Sequence, residues 1–109
     1  MYKANFDATL FDGLGMAGLG VVVRDSMGNI IAALNQKIRS PHSVEMVEAL
    51  ACNRALVFAQ EFSLSQVVFE GDSFRIVQAV NSQEACLTLC GHIIGEIKSL
   101  RRGLRFSFF

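Results

Sequence analysis

The N-terminal part of the chain alternates apolar and polar side chains in short runs that are typical of β-strands. Residues 3–11 follow this pattern, residues 20–24 contain three consecutive valines, and residues 30–36 form a third strand. Residues 25–29 have a composition that favours a tight turn, so the second and third strands should pair as an antiparallel hairpin. The first connection is also too short for a helix. We therefore predict a three-stranded antiparallel meander.

The spacing of apolar residues changes after Ser43 and predicts a helix over residues 44–62. Its apolar residues recur at intervals of three and four, namely Val47, Leu50, Ala51, Ala55, Phe58, Ala59 and Phe62. Pro41 lies where a helix can begin, and Ser43 is suited to cap its first turn. Glu45 in that turn complements the helix dipole. The helix should therefore pack one face against the sheet.

The second half of the chain contains a strand, two helices and a final strand. Residues 66–70 form a short apolar strand that ends at Gly71-Asp72-Ser73, and residues 104–109 form the last strand. Between them, one helix ends at Asn81 and a longer one runs from residue 87 or 88 to residue 100. The apolar positions on these two helices are Ile76, Val77 and Val80, then Ile93, Ile94, Ile97 and Leu100.

This order of elements indicates an α/β fold with a mixed sheet. A strand that returns through a helix pairs in parallel, so the antiparallel start should continue into parallel pairing. We predict a five-stranded mixed sheet, with its first three strands antiparallel and helices on both faces. The length of 109 residues fits a single domain, residues 1–109, and the 51% hydrophobic and 18% charged content is typical of a folded one.

The charges of the chain exclude a strongly basic nucleic-acid-binding protein. Ten basic residues balance ten acidic ones, so no overall positive field attracts the chain to nucleic acid. Such binding would depend on a local patch or on bound metal. The densest basic cluster is Lys98, Arg101, Arg102 and Arg105. A solvated helix face and turn is its simpler interpretation, with a phosphate clamp as the alternative.

The cysteines and the first residues indicate a reducing compartment. The three cysteines are Cys52, Cys86 and Cys90, and we expect them to be reduced and buried. Cys86 and Cys90 lie near His92, but no second pair of ligands completes a zinc site. Polar residues within positions 3–7 interrupt any secretory signal, and no apolar run is long enough to span a membrane. We expect a cytoplasmic or nuclear protein that is not secreted.

The segment Gly13-Leu14-Gly15-Met16-Ala17-Gly18 matches the glycine pattern of dinucleotide-binding proteins. Such a site needs a helix to begin at the last glycine, because the helix N-terminus holds the pyrophosphate. Valines 21–23 follow instead and predict a strand. A flexible hairpin connection is the better interpretation, and an oxidoreductase function would depend on this pattern alone.

Three carboxylates indicate the function more specifically than the glycine pattern does. Asp7 lies within the first strand, where a charge is costly unless it is paired or binds metal. Asp72 follows the fourth strand, at the end where sites form in parallel sheets. Glu48 lies near the start of the long helix, beside its apolar stripe. Converging carboxylates repel each other unless cations neutralise them, and Mg²⁺ prefers such oxygen ligands. We therefore predict a metal site at one end of the sheet.

Each carboxylate also has a simpler explanation. Asp72 could cap the helix that follows it. Glu48 could be an ordinary exposed residue, and Asp7 could pair with a basic side chain such as Arg24. It is their joint placement that favours the metal site.

Four segments together resemble the ribonuclease-H-like domains, and most closely the plant, retroelement-associated reverse-transcriptase-like type. They are Asn5-Phe6-Asp7-Ala8, residues 20–29, Glu48-Ala49-Leu50-Ala51 and Glu70-Gly71-Asp72-Ser73. The resemblance runs from about residue 3 to the C-terminus, and the segment around Asp72 with its distance from Glu48 is the most specific part.

The resemblance implies endonucleolytic hydrolysis of the RNA strand of an RNA–DNA hybrid with two Mg²⁺ ions, or Mn²⁺ in their place. Asp7 matches the first-strand aspartate that bridges the metals, Glu48 the helix glutamate, and Asp72 the aspartate after the fourth strand. In this mechanism one ion activates the attacking water and the other stabilises the leaving oxygen, about 4 Å away.

One feature departs from the family pattern. Its members continue into a C-terminal helix that supplies a fourth metal-binding residue, whereas here no acidic residue follows Glu96. We expect a domain truncated at its C-terminus, with a reduced variant of the family as the alternative. Its last strand should lie at an uncovered sheet edge where exposed Phe would favour association. The alternative function is a catalytically weak or inactive module of the same fold that binds nucleic acid or protein.

Overall fold

The computed structural model of the chain describes residues 1–11, 13–40, 44–64 and 66–72, four single helical positions and the backbone of residues 105–108. The four single positions are Ile76, Gln78, Gly95 and Ile97. The elements are β1 (Tyr2–Phe11), β2 (Met16–Arg24), β3 (Ile30–Arg39), α1 (Val44–Glu61), β4 (Gln66–Gly71) and β5 (Arg105–Phe108).

The five strands form one sheet in the order β3-β2-β1-β4-β5. β1 pairs antiparallel with β2, and β2 antiparallel with β3, as the short connections predict. β1 and β4 are parallel, and so are β4 and β5. The predicted mixed sheet is therefore confirmed. Its two edges are β3 and β5, so the last strand does lie at an edge.

Two strands are longer than the sequence predicts. β2 begins at Met16 instead of residue 20, and β3 continues to Arg39 instead of residue 36. Gly18 pairs with Thr9, because the hydrogen bonds of the ladder outweigh the low strand propensity of glycine. At the edge, the charge of Lys37 stays in solvent and its Nζ lies 5.8 Å from the centroid of the Phe11 ring.

The glycine-rich segment forms the tight connection between β1 and β2. Gly13 and Gly15 have φ angles of 76° and 62°, which glycine adopts without steric cost. The Leu14 amide donates a hydrogen bond of 3.2 Å to the Phe11 carbonyl. Because a strand begins at Met16, the dinucleotide-binding interpretation is wrong and the hairpin interpretation is confirmed.

The hydrophobic core lies between the sheet and α1. The inward-facing strand residues are Ala4, Phe6, Ala17, Leu19, Val21, Val23, Val67 and Phe69. The buried residues of α1 are Val47, Ala49, Ala51, Cys52, Ala55, Leu56, Phe58 and Ala59. This face is wider than the predicted stripe, because small residues let the helix approach the sheet closely. Phe62 lies beyond the helix and is 51% exposed, contrary to the prediction; its ring packs edge-to-face on Phe58.

Cys52 is one of these buried helix residues. Cys52 is free and buried, which confirms the prediction for this cysteine. Burial disfavours the thiolate and raises the pKa of Cys52 to about 12. Cys86, Cys90 and His92 lie outside the described residues.

Helical residues of the described part pack on one face of the sheet, so the predicted helix on the second face is not among the described residues. Ile76 and Ile97 are helical, as predicted, and join the same core as α1. On the other face, Lys3, Asn5 and Asp7 are exposed. No helix among the described residues is both long and apolar enough to cross a membrane.

Several predictions concern residues outside the described part of the chain. They are the helix start at Pro41 and Ser43, the helix positions Val77, Val80, Ile93, Ile94 and Leu100, the helix end at Asn81, and the side chains of Lys98, Arg101, Arg102 and Arg105.

Candidate active site

Asp7 lies on the exposed face of β1, since side chains of a strand alternate between faces and Phe6 takes the buried one. Its Oδ1 accepts a hydrogen bond of 2.9 Å from the backbone N–H of Ala8. Arg24, the alternative ion-pair partner, lies opposite Lys3 in the β1–β2 pairing. Within the described residues, the charge of Asp7 is not neutralised by a basic side chain.

Asp72 lies beside Asp7 because of the parallel register of β1 and β4. Phe6 pairs with Gly71, so Asp7, the next residue on β1, and Asp72, the residue that directly follows β4, are neighbours. Asp72 is exposed at the bend that ends β4, where groups at the carboxyl end of a parallel strand reach the sheet edge. Its possible role as a helix cap concerns residues 73–75, which lie outside the described part.

Glu48 reaches the same place from α1. It is half-buried, and the helix packs its buried face, including Ala51, over the sheet. A small cavity of about 40 Å³ lies between this end of the helix and the strands. It is lined by Phe6, Asp7, Ala8, Glu48, Ala51 and Asp72. The structure thus brings the three predicted site residues, from three different elements, to one cavity.

A larger and more open cavity of about 420 Å³ continues from the first on the β4 side. It is lined by Asn5, Phe6, Asp7, Glu70, Gly71 and Asp72. The sequence predicts no role for Asn5 and Glu70, although their spacing of two residues from Asp7 and Asp72 places them on the same strand face. They are direct partners in the β1–β4 register, and Glu70 pairs with the Lys3 Nζ at 3.3 Å.

The donor atoms of this site suit a hard cation. Asp7, Glu48 and Asp72 offer carboxylate oxygens, which Mg²⁺ binds in preference to nitrogen or sulfur. In the part of the chain that the structure describes, no three His, Cys, Asp or Glu side chains are close enough to hold a single ion. The residue types therefore fit a divalent cation, whereas the spacing in this conformation is wider than three-point coordination requires.

Comparison with solved structures shows which fold the chain has. RNase H1 from the halophilic archaeon Halobacterium salinarum NRC-1 superposes with a TM-score of 0.78 at 20% identity, over 99% of this chain and 83% of that one. LC11-RNase H1, solved in complex with an RNA/DNA hybrid, superposes with a TM-score of 0.82 at 21% identity, over 100% of this chain and 83% of that one. The N-terminal RNase H domain of a Mycobacterium tuberculosis protein superposes with a TM-score of 0.80 at 18% identity, over 100% of this chain and 81% of that one. The chain therefore has the ribonuclease-H-like fold.

The family follows from a second comparison. The family model described as reverse transcriptase-like matches residues 5–108, nearly the whole chain. The chain belongs to this reverse transcriptase-like family, as its resemblance to the retroelement-associated type predicts. No curated protein matches the chain.

Proposed function

We propose that this domain hydrolyses the RNA strand of an RNA–DNA hybrid in a reaction that depends on Mg²⁺. The main observation in favour is the placement of Asp7, Glu48 and Asp72, from three elements, on one cavity. A protein of the same fold, LC11-RNase H1, has been solved with an RNA/DNA hybrid, which supports this substrate class. The proposal makes the three carboxylates both metal ligands and catalytic residues.

Asp7 and Asp72 both line the small cavity, with Glu48, and the open cavity, with Glu70. In this mechanism these two aspartates would hold Mg²⁺ together with Glu48. Bound Mg²⁺ would supply Lewis-acid activation of water and stabilisation of the leaving oxygen. Phe6, Ala8 and Ala51 form the apolar part of the lining of the small cavity. The open cavity leaves room for the sugar–phosphate backbone to approach Asp7 and Asp72.

The decisive experiment measures cleavage of a hybrid whose RNA strand is labelled. We expect cutting in Mg²⁺ or Mn²⁺, and a loss of about 100-fold or more in Asp7→Asn and Asp72→Asn, because each change removes a ligand charge that the reaction needs. Glu48→Gln should behave in the same way. Glu61→Gln is the matched control, since Glu61 is on the same helix but pairs with Arg54 at 3.0 Å, away from the cavity.

Two results would contradict the proposal. If the wild-type domain cuts no hybrid at any concentration of Mg²⁺ or Mn²⁺, the chain is not an active ribonuclease. If it cuts but the Asp7 and Asp72 variants retain full rate while folded, the site lies elsewhere. Circular dichroism of each variant separates loss of activity from loss of fold.

A second candidate is a module that binds a hybrid or a protein without turnover. The observation that favours it is the spacing of the acidic side chains, since no described group of three can hold one ion. It predicts hybrid binding by fluorescence anisotropy with no product, and Mg²⁺ binding too weak to saturate at millimolar levels. Turnover by the wild-type domain would exclude it.

A further inference from the structure

Gly71 is the last residue of β4, directly before Asp72, and the reason for a glycine at this position is not its backbone conformation. Gly13, Gly15 and Gly28 have positive φ angles, whereas Gly71 does not. An alanine could therefore adopt the Gly71 backbone without strain. Any requirement for glycine must come from neighbouring atoms.

The ring of Phe6 occupies the space that a side chain at residue 71 would need. Phe6 and Gly71 are direct partners in the parallel pairing of β1 and β4. An ideal Cβ on Gly71 would overlap Cε2 and Cζ of the Phe6 ring and would lie 2.9 Å from its Cδ2. A real Cβ atom essentially never lies within 3.0 Å of an atom to which it is not bonded, so either the ring or the strand would have to move.

The ring has little room to move. Phe6 is 5% exposed and belongs to the hydrophobic core. It also lines the cavity of about 40 Å³ that contains Glu48 and Asp72. Because protein interiors are close-packed, a displaced ring passes its shift on to its neighbours. An added methyl group at residue 71 would thus push the ring toward Glu48 or push the end of β4, with Asp72, away from β1.

We propose that Gly71 is a positioning residue, which lets the Phe6 ring pass across β4 and so fixes the distance between Asp72 and Asp7. This inference rests on the proposed function for its effect on activity, but the geometry itself does not depend on that function. Asp7 and Asp72 each directly follow one member of the Phe6–Gly71 pair, so a change in the separation of the pair changes the separation of the two carboxylates.

The test compares Gly71→Ala with the same change combined with Phe6→Leu. Leucine lacks the Cε2 and Cζ atoms that the added methyl group would overlap. We expect Gly71→Ala to lower kcat about 100-fold with KM changed by less than about threefold, because a misplacement near 1 Å disturbs the reacting geometry more than binding. The kcat of the double variant should be at least about tenfold higher than that of Gly71→Ala, since the two sites are coupled.

Gly18→Ala is the matched control. Gly18 is also a strand glycine beside a phenylalanine, but its ideal Cβ would lie 3.5 Å from the nearest Phe11 ring atom, an ordinary van der Waals contact. We expect its kcat to stay within about twofold of wild type, because no atom has to move.

Crystal structures of the variants make the result independent of activity. Asp72 should be displaced relative to Asp7 in Gly71→Ala and restored in the double variant, even if the wild-type domain cuts no hybrid and the proposed function fails. If Gly71→Ala does not fold, recovery of a folded double variant with Asp72 in its wild-type position supports the inference. An unmoved Asp72 in folded Gly71→Ala, or a double variant that is no better than the single one, overturns it.

Discussion

At the scale of single residues, the Asp25 carboxylate closes the turn between β2 and β3. Its Oδ1 accepts hydrogen bonds of 2.9 Å from the backbone amides of Met27 and Asn29. The Asn29 amide is the main cause that lowers the pKa of Asp25 from its ordinary value of 3.8, partly opposed by desolvation. This turn fixes the hairpin that the sequence of residues 25–29 predicts.

The lowered pKa predicts how the stability of the turn depends on pH. Because the folded state holds the charged form, the contribution of Asp25 is present above pH 3.8 and is lost as the pH falls below that value through the folded-state pKa. Asp25→Asn should therefore lower the free energy of unfolding at pH 7, and the difference from wild type should disappear in strong acid. Urea titrations at several pH values measure this.

Ser26→Ala is the control for this prediction. Ser26 is an exposed neighbour in the same turn and has no titratable group, so any effect of its substitution should not vary with pH. A loss in Asp25→Asn that is equally large at pH 2 and pH 7 would show that the charge of Asp25 does not stabilise the turn.

At the scale of elements, α1 connects the core to the site, because its buried face holds the sheet while Glu48 lies at the cavity. Leu56 is fully buried in that face. Leu56→Ala should lower the free energy of unfolding by about 2–5 kcal/mol, through lost burial and the cavity it leaves. Val44→Ala, at a helix position that is 54% exposed, should cost less than about 0.5 kcal/mol.

Chemical unfolding in urea measures both variants of α1. If the two substitutions cost the same, the helix does not pack on the sheet through the face that contains Leu56. The slope of the urea dependence should stay unchanged, since neither substitution alters the surface exposed on unfolding by much.

The sequence predicts most elements well, and its errors have physical causes. The helix bounds are right to within one residue because apolar positions recur densely between Val47 and Ala59. The predicted start of β2 is wrong because Gly18 and Gly20 are poor strand formers. Only their pairing with Thr9 and Asp7 makes them strand residues. Pairing across the sheet is a tertiary effect that no local pattern contains.

At the scale of the whole molecule, the meeting of Asp7, Glu48 and Asp72 is predicted from their places in the order of elements. The strand order is not, because the connections do not decide whether β4 lies beside β1 or beside β3. The participation of Asn5 and Glu70 is not predicted either, because it requires the β1–β4 register. The role of Gly71 depends on the path of the Phe6 ring, which the sequence also leaves open. Residue types thus predict the chemistry of the site, whereas its walls and distances depend on packing.

The balanced charge of the chain predicts a weak salt dependence of hybrid binding. With ten basic and ten acidic residues, no overall positive field attracts the hybrid, so binding depends on the basic side chains of a local patch. Each contact of such a side chain with a phosphate contributes a slope of about −0.9 to log K against log[salt], so we expect a total no steeper than about −3. The measurement uses Asp7→Asn in the proposed substrate complex, so that the hybrid stays intact. A slope steeper than about −5 would indicate a concentrated basic surface.

The parallel pairing of β1 with β4 also affects how the chain folds as it is synthesised. β1, β2 and β3 are contiguous, so their hairpins can close early through short loops. The partner of Phe6 on β4 is about 65 residues further along, and closing so long a loop has a larger entropic cost. The free edge of β1 therefore stays exposed on the ribosome until β4 emerges. During that interval this edge is open to mispairing or to a chaperone.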